Sequence, residues 1–326
     1  MVRISGFCDS AQKLCSHFDS VDMFIAGISY EERYIRGYSL LCENGLQARE
    51  KILFYFNEVL ATYNRTGDEA RFDAAFAISS ADKKLYVDLY DEINGLFMFR
   101  RYLKENSDKF LNKNIIIDFS VMVKPYFFLL MKHLSSINTK KLGFLYTEPD
   151  TYTSLTRGAM ATRDIPGYSG KRALTKKDAL AILLGFEGNR AVAVYNEINP
   201  DVTIPINGFP SYKPEFKDIS IMKNKELLMD EEIFKNLRFA PANDPFQTRD
   251  ALLELYLDIS GEYNLSIAPL GTKPMALGGC FFAMEQPDCR VIYPYPQEYL
   301  PKSSKGWRNS WIYVTELTES NSSGNA

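Results

Sequence analysis

Ten short runs of apolar residues, five in each half of the chain, limit the fold more than any other feature. In the first half they are Val21 to Gly27, Lys51 to Phe56, Leu85 to Tyr90, Asn114 to Phe119 and Leu142 to Tyr146. In the second they are Ala181 to Phe186, Val202 to Ile206, Leu237 to Pro241, Leu265 to Ala268 and Arg290 to Tyr293. Each is too short to be a buried helix and is bounded by turn residues, and the segments between most of them carry helical spacing. A strand that is apolar throughout, without alternation, belongs in a parallel sheet covered on both faces. The pattern predicts an α/β protein of two tandem Rossmann-like three-layer units with mainly parallel sheets.

The two halves share their punctuation, which predicts an internal duplication. Gly27 with its Glu31-Glu32-Arg33 turn matches Gly185 with Glu187 and Arg190, and Asp91 matches Asp244. Lys124-Pro125 matches Lys273-Pro274, and Tyr146-Thr147-Glu148-Pro149 matches Tyr293-Pro294-Tyr295-Pro296. A repeat of roughly 150 residues is too long for a solenoid and fits two copies of a β/α unit. The expected boundaries are 1–150 for the first half and 179–317 for the second. Residues 151–178, with Arg157, Arg163, Lys171, Arg172, Lys176 and Lys177, read as a basic linker or a flap. Residues 318–326 are rich in Ser, Asn and Gly and read as a disordered tail. Trp307 and Trp311 lie on a final apolar run, expected to pack as an edge strand against the second half.

Every matched position falls at the carboxyl end of a strand, where open parallel sheets bind ligands. The strongest local signal is Gly271-Thr272-Lys273 before Pro274: glycine admits a close backbone, threonine gives a hydroxyl and lysine a charge. A helix start exposes unpaired N–H groups and a partial positive charge, so this turn suits an anion. Ser120 and Lys124, after Asp118, hold the corresponding place in the first half. Arg33, with Glu32 beside it, and Arg190 are expected to clamp phosphate or carboxylate groups if the two sets of turns converge on a shared cleft. Glu187, Asp118 and Asp244 are the candidate catalytic carboxylates, each with a structural alternative as helix cap or ion-pair partner.

Composition excludes several classes. With 46% hydrophobic and 24% charged residues the chain is globular, and a net charge of −3 disfavours bulk electrostatic binding of nucleic acid. Five dispersed cysteines read as reduced thiols in a cytoplasmic protein, and with only two histidines there is little material for a Cys/His metal site. No run approaches the ~20 apolar residues that cross a bilayer. Gly-x-Ser-x-Gly, His-Glu-x-x-His, Gly-x-Gly-x-x-Gly and Walker A motifs are missing, so no cofactor is named by a motif. Asp88 and Asp91 lack the Glu-x-Lys partner of a restriction-type nuclease, since Glu215-Phe216-Lys217 lies in the other half.

The stretch Asn264 to Met284, with its strand, its Gly271-Thr272-Lys273 turn and Met275-Ala276-Leu277 opening a helix, resembles the ligand-binding turn of CARF-type Rossmann-like domains. Those domains sense cyclic oligonucleotides in prokaryotic antiviral defence, and the chain as a whole also looks like bacterial proteins from defence islands. The resemblance implies a sensor or regulatory module that binds a phosphate-bearing or nucleotide-like small molecule and works with a protein partner carrying an effector activity. It departs from the family in fusing two such units in one chain with no effector of its own. An enzyme on nucleotides or nucleosides, a hydrolase or a glycosyl or phosphoribosyl-type transferase, is the alternative. A pure interaction protein is a third.

Overall fold

The computed structural model describes residues 2–29, 31–57, 59, 65–88, 92–153, 156–300 and 304–319. Asp91, the last residues of the third expected strand and positions 320–326 of the expected tail lie outside them. The chain divides into two compact units. The first comprises Ser5–Thr156 and Glu298–Leu317, and the second comprises Arg157–Gln297 with short pieces of both termini.

The first unit holds strands β1 (Val2–Ser10), β2 (Val21–Gly27), β3 (Ala48–Phe56), β4 (Lys83–Val87), β5 (Asn114–Asp118), β6 (Lys141–Thr147) and β15 (Ser310–Glu319) in one sheet. Its order is β1-β15-β6-β5-β2-β3-β4, with β6, β5, β2, β3 and β4 parallel. Labelling only helices of eight residues or more, α1 is Arg36–Glu43, α2 Arg65–Ala75, α3 Glu92–Glu105 and α4 Lys124–Leu134. β5 is the strand the pattern predicts best: Asn114, Ile115, Ile116, Ile117 and Asp118 are all buried. α4 starts with Pro125 in its first turn, where the missing N–H is harmless. Its Tyr126 packs edge-on against Phe54 and Phe56 of β3.

The second unit holds β8 (Thr156–Asp164), β9 (Lys177–Leu183), β10 (Val202–Gly208), β11 (Arg238–Ala240), β12 (Tyr263–Pro269) and β13 (Arg290–Tyr299). The order is β11-β10-β9-β12-β13-β8, and the first five are parallel. Here α5 is Gly188–Ile198, α6 Phe216–Lys223, α7 Pro245–Ile259 and α8 Lys273–Glu285. Leu180, Ile182, Val194, Ala268 and Ile292 meet in a core between sheet and helices. α8 is buried from Pro274 to Glu285, so it is the central helix of its unit.

In each unit the first parallel strand lies in the middle, the next two extend to one side and the following two to the other. The order reverses beside β2 in the first unit and beside β9 in the second, and such a reversal is where open α/β sheets place ligands.

Three segments differ from expectation. Residues 151–178 are not a bare linker: they include β7 (Thr151–Tyr152), all of β8 and the buried Ile165 and Tyr168. Thr318 and Glu319 belong to β15. That last apolar run does not edge the second unit. It pairs antiparallel with β6 of the first, with Trp311 opposite Tyr146. Ile312, Tyr313 and Val314 are all buried, which suits a strand with neighbours on both sides and not an edge.

Candidate functional site

In the first unit the turn after β2 carries Glu31, Glu32 and Arg33. Arg33 is 3% exposed. Its Nε and second terminal nitrogen lie 2.9 and 2.8 Å from Glu31 Oε2, its remaining nitrogen donates to the Thr147 carbonyl at 2.6 Å, and its guanidinium lies 5.7 Å from the Tyr146 ring centre. The arginine therefore spans from the turn after β2, past β5, to the end of β6. Burial alone would lower its pKa, but Glu31 and the Tyr146 and Tyr152 hydroxyls outweigh that and hold it charged. The Ser304 hydroxyl, on β14 (Ser304–Lys305), also donates to Glu31, and the Gly306 N–H donates to Glu32 at 3.2 Å. β14 pairs with β7.

Asp118 closes β5 and is 1% exposed. Its Oδ1 accepts the Ser120 N–H at 2.9 Å, and its Oδ2 faces Gly37, where a Cβ would stand 2.0 Å away. Gly37 sits in the first turn of α1, so an internal carboxylate already lies where a Rossmann-type unit presents its first helix start to an anion. Ser120 in turn accepts the Thr147 N–H on its hydroxyl at 2.9 Å. Burial pushes the Asp118 carboxyl up to about 6, against its bonds with Ser120 and the attraction of Arg33. A folded pKa above the unfolded value of 3.8 means that the native state holds this proton more tightly. Its contribution is therefore complete below about pH 4 and lost as pH rises through 6, up to ~3 kcal/mol for a shift of about two units. Asp118→Asn removes that slope. The stability of the variant minus that of the wild type, from urea melts, is expected to move in the variant's favour between pH 4 and pH 7, and a constant difference would refute it.

The second unit repeats the arginine device. Arg190, 5% exposed, lies in the first turn of α5, 3.0 Å from Glu187 Oε2. It donates to the Pro294 carbonyl at 2.7 Å and lies 4.9 Å from the Tyr293 ring centre. Glutamate, arginine, tyrosine ring and the carbonyl after that tyrosine recur in the same roles. Arg33 and Arg190 thus cross corresponding positions in their own sheets.

The Gly271-Thr272-Lys273 turn lies just past β12. Gly271 is buried, and a Cβ there would meet Met275 Sδ at 3.0 Å and the Leu184 carbonyl at 3.1 Å, so the turn is packed tightly on the end of β9. Thr272 caps α8: its hydroxyl accepts the Met275 N–H at 3.2 Å and donates to the Ala242 carbonyl. Lys273, half-buried, opens the helix, and the first turn holds no acidic residue. Lys124 is half-buried at the start of α4, likewise followed by proline. Asp244 caps α7, accepting the Phe246 and Gln247 N–H groups at 2.8 and 3.0 Å and the Gln247 side chain at 2.7 Å.

The structure brings Arg33, Asp118 and Ser120 to one strand-end crest, and Thr272 to Ala242, two residues past β11. Asp244 and Glu187 serve other helix starts. Sequence reasoning missed Tyr146 and Tyr293 as the surfaces on which the arginines lie. It also missed Glu148, which accepts the Trp311 indole N–H at 2.5 Å and whose burial raises its pKa. The paired Glu-Arg and Tyr punctuation was the available signal for the first of these. Among the described residues no cluster of three or more His, Cys, Asp and Glu is placed to hold a metal, and no helix is long and apolar enough to cross a membrane. Among the described residues the five cysteines form no disulfide. No protein-family model matches the chain, and no curated protein matches it.

Proposed function

We propose that the protein binds a phosphate-bearing or nucleotide-like small molecule at the strand-end rim of its second unit, beside the Gly271-Thr272-Lys273 turn. The observation that carries this is the start of α8. A 13-residue helix begins where the strand order reverses, with a lysine and no acid in its first turn. In the first unit the Asp118 carboxylate lies against the start of α1, so the second unit offers the better anion site. The shared strand order and the repeated arginine device support descent of the two units from one duplicated ancestor. The role is that of a sensor or regulatory component, in line with the CARF-like turn, working in antiviral defence through a protein partner. Asp244, Glu187 and Asp118 hold, respectively, a helix cap, an arginine and a backbone N–H, so binding is preferred over catalysis.

A thermal-shift series with inorganic phosphate, ribose 5-phosphate and the common nucleotides tests the proposal. A ligand present at a hundred times its Kd is expected to stabilise the protein by ~2.7 kcal/mol. Lys273→Ala should fold normally and lose about tenfold in affinity, the order of one charge-assisted contact. If no compound stabilises the wild type, or Lys273→Ala responds as the wild type does, ligand binding at this turn is ruled out.

A further inference from the structure

The second unit carries an aromatic pair that its own core leaves uncovered. Phe209 follows β10 and Phe239 lies on β11, the neighbouring edge strand. Their side-by-side rings meet edge to face, 6.1 Å apart at 74°, yet Phe209 is 52% and Phe239 48% exposed. Burying a phenylalanine ring is favourable, so two adjacent half-exposed rings give up stabilisation that a ligand can recover. Lys217 Nζ stands over the Phe209 ring, 5.5 Å from its centre, and 3.4 Å from Asp218 Oδ1 in an exposed ion pair, so a solvated cation lies against the aromatic surface.

The pair is tied to the rim described above. The Phe209 N–H donates to the Ala240 carbonyl at 2.8 Å, the Ala242 N–H donates to the Pro210 carbonyl at 2.9 Å, and Thr272 donates to the Ala242 carbonyl. The turns after β10, β11 and β12 are thus laced together at one end of one sheet. An exposed ring face with a cation nearby is complementary to a molecule that is itself flat at one end and anionic at the other. A nucleotide has that chemistry, and base-on-ring stacking tolerates any base.

We propose that Phe209 and Phe239 form a stacking seat for the base of a mononucleotide, with Lys217 supplying positive charge beside it. The seat rests on the proposed binding of a nucleotide-like ligand and adds to it the class of ring that is recognised.

Isothermal titration of the full chain with 5′-AMP, 5′-GMP, 5′-CMP and 5′-UMP, with ribose 5-phosphate as the base-free control, tests it. At least one nucleotide is expected to bind roughly tenfold more tightly than ribose 5-phosphate, the order of one stacked base. Phe209→Ser should cancel that advantage and leave the affinity for ribose 5-phosphate unchanged. Phe239→Ser, on the other wall, should reduce the same advantage and serves as a second surface variant. Ribose 5-phosphate binding with no gain from a base, or an undiminished gain in both variants, overturns the seat while leaving an anion site at Lys273 intact. Absence of binding by all five compounds overturns both. Self-association of the wild type that Phe209→Ser abolishes, with nucleotide affinity untouched, assigns the rings to a second copy of the chain and also overturns the seat.

Discussion

Arg33→Ala is expected to lower the stability of the first unit by about 3–5 kcal/mol, the usual result of removing one partner from a buried ion pair. The cost has little to do with losing a favourable pair, because desolvating both charges offsets much of their attraction. It comes from what remains. Glu31 would lose its arginine partner, the Thr147 carbonyl would lose its donor, and the Tyr146 ring would lose its cation. Arg33→Lys should recover only part of the loss, since an ammonium cannot reach glutamate and carbonyl together in the planar geometry of a guanidinium. Glu31→Gln added to Arg33→Ala should be less damaging than the sum of the two, because the uncompensated charge is gone. Urea denaturation of the wild type, the three single variants and the double variant measures this. An Arg33→Ala variant within ~1 kcal/mol of the wild type would show that the arginine is not the strut described.

Gly188→Ala is the second large effect, and its sign opposes the usual one. Alanine in place of glycine within a helix ordinarily stabilises by up to ~1 kcal/mol. At Gly188 an added Cβ would stand 1.9 Å from the Lys223 carbonyl oxygen and 3.1 Å from the Asn224 Cα, both backbone atoms. Neither can swing aside. Asn224 fixes that backbone further by donating to the Gly185 carbonyl at 2.7 Å and the Ser220 carbonyl at 2.8 Å. Relief therefore requires moving the start of α5, which carries Arg190 two residues on. Overpacking of this kind costs ~1–3 kcal/mol, and the rigid neighbour places it at the upper end. The expected result is a net loss of about 2–3 kcal/mol, read from the denaturation midpoint. A Gly188→Ala variant as stable as the wild type would mean that the end of α6 yields easily.

The parallel strands were legible because burial on both faces writes an unbroken apolar run, as in Asn114 to Asp118. The matched punctuation was legible too, since Glu-Arg and Tyr motifs stand at fixed points in each half. What those motifs do was not. Arg33 meets its carbonyl 114 residues away and Arg190 meets its own 104 residues away, distances at which local spacing carries no information. Both arginines read as ligand clamps because a charged residue at a strand end is ambiguous until its partners are known. The Asp118 carboxyl had the same ambiguity, and the close approach of Gly37 comes from another element that local spacing does not reveal. β1 and β8 were lost, and β15 was assigned to the wrong unit, for a related reason. Their neighbours are chosen by the sheet and not by the residues beside them in the chain.

Between β6 and β1 stands β15, and among the described residues it is the strand through which β1 is joined to its sheet. Synthesis on a ribosome proceeds from the amino end, so β1 emerges first and the strand that binds it emerges after the whole second unit. Until then one flank of β6 is an open hydrogen-bonding edge, of the kind that invites pairing with a stranger. Such long-range closure slows folding and prolongs exposure of half-made structure. A tag or nick near residues 310–319 is therefore felt at the opposite end of the sequence, in the hold on residues 2–10.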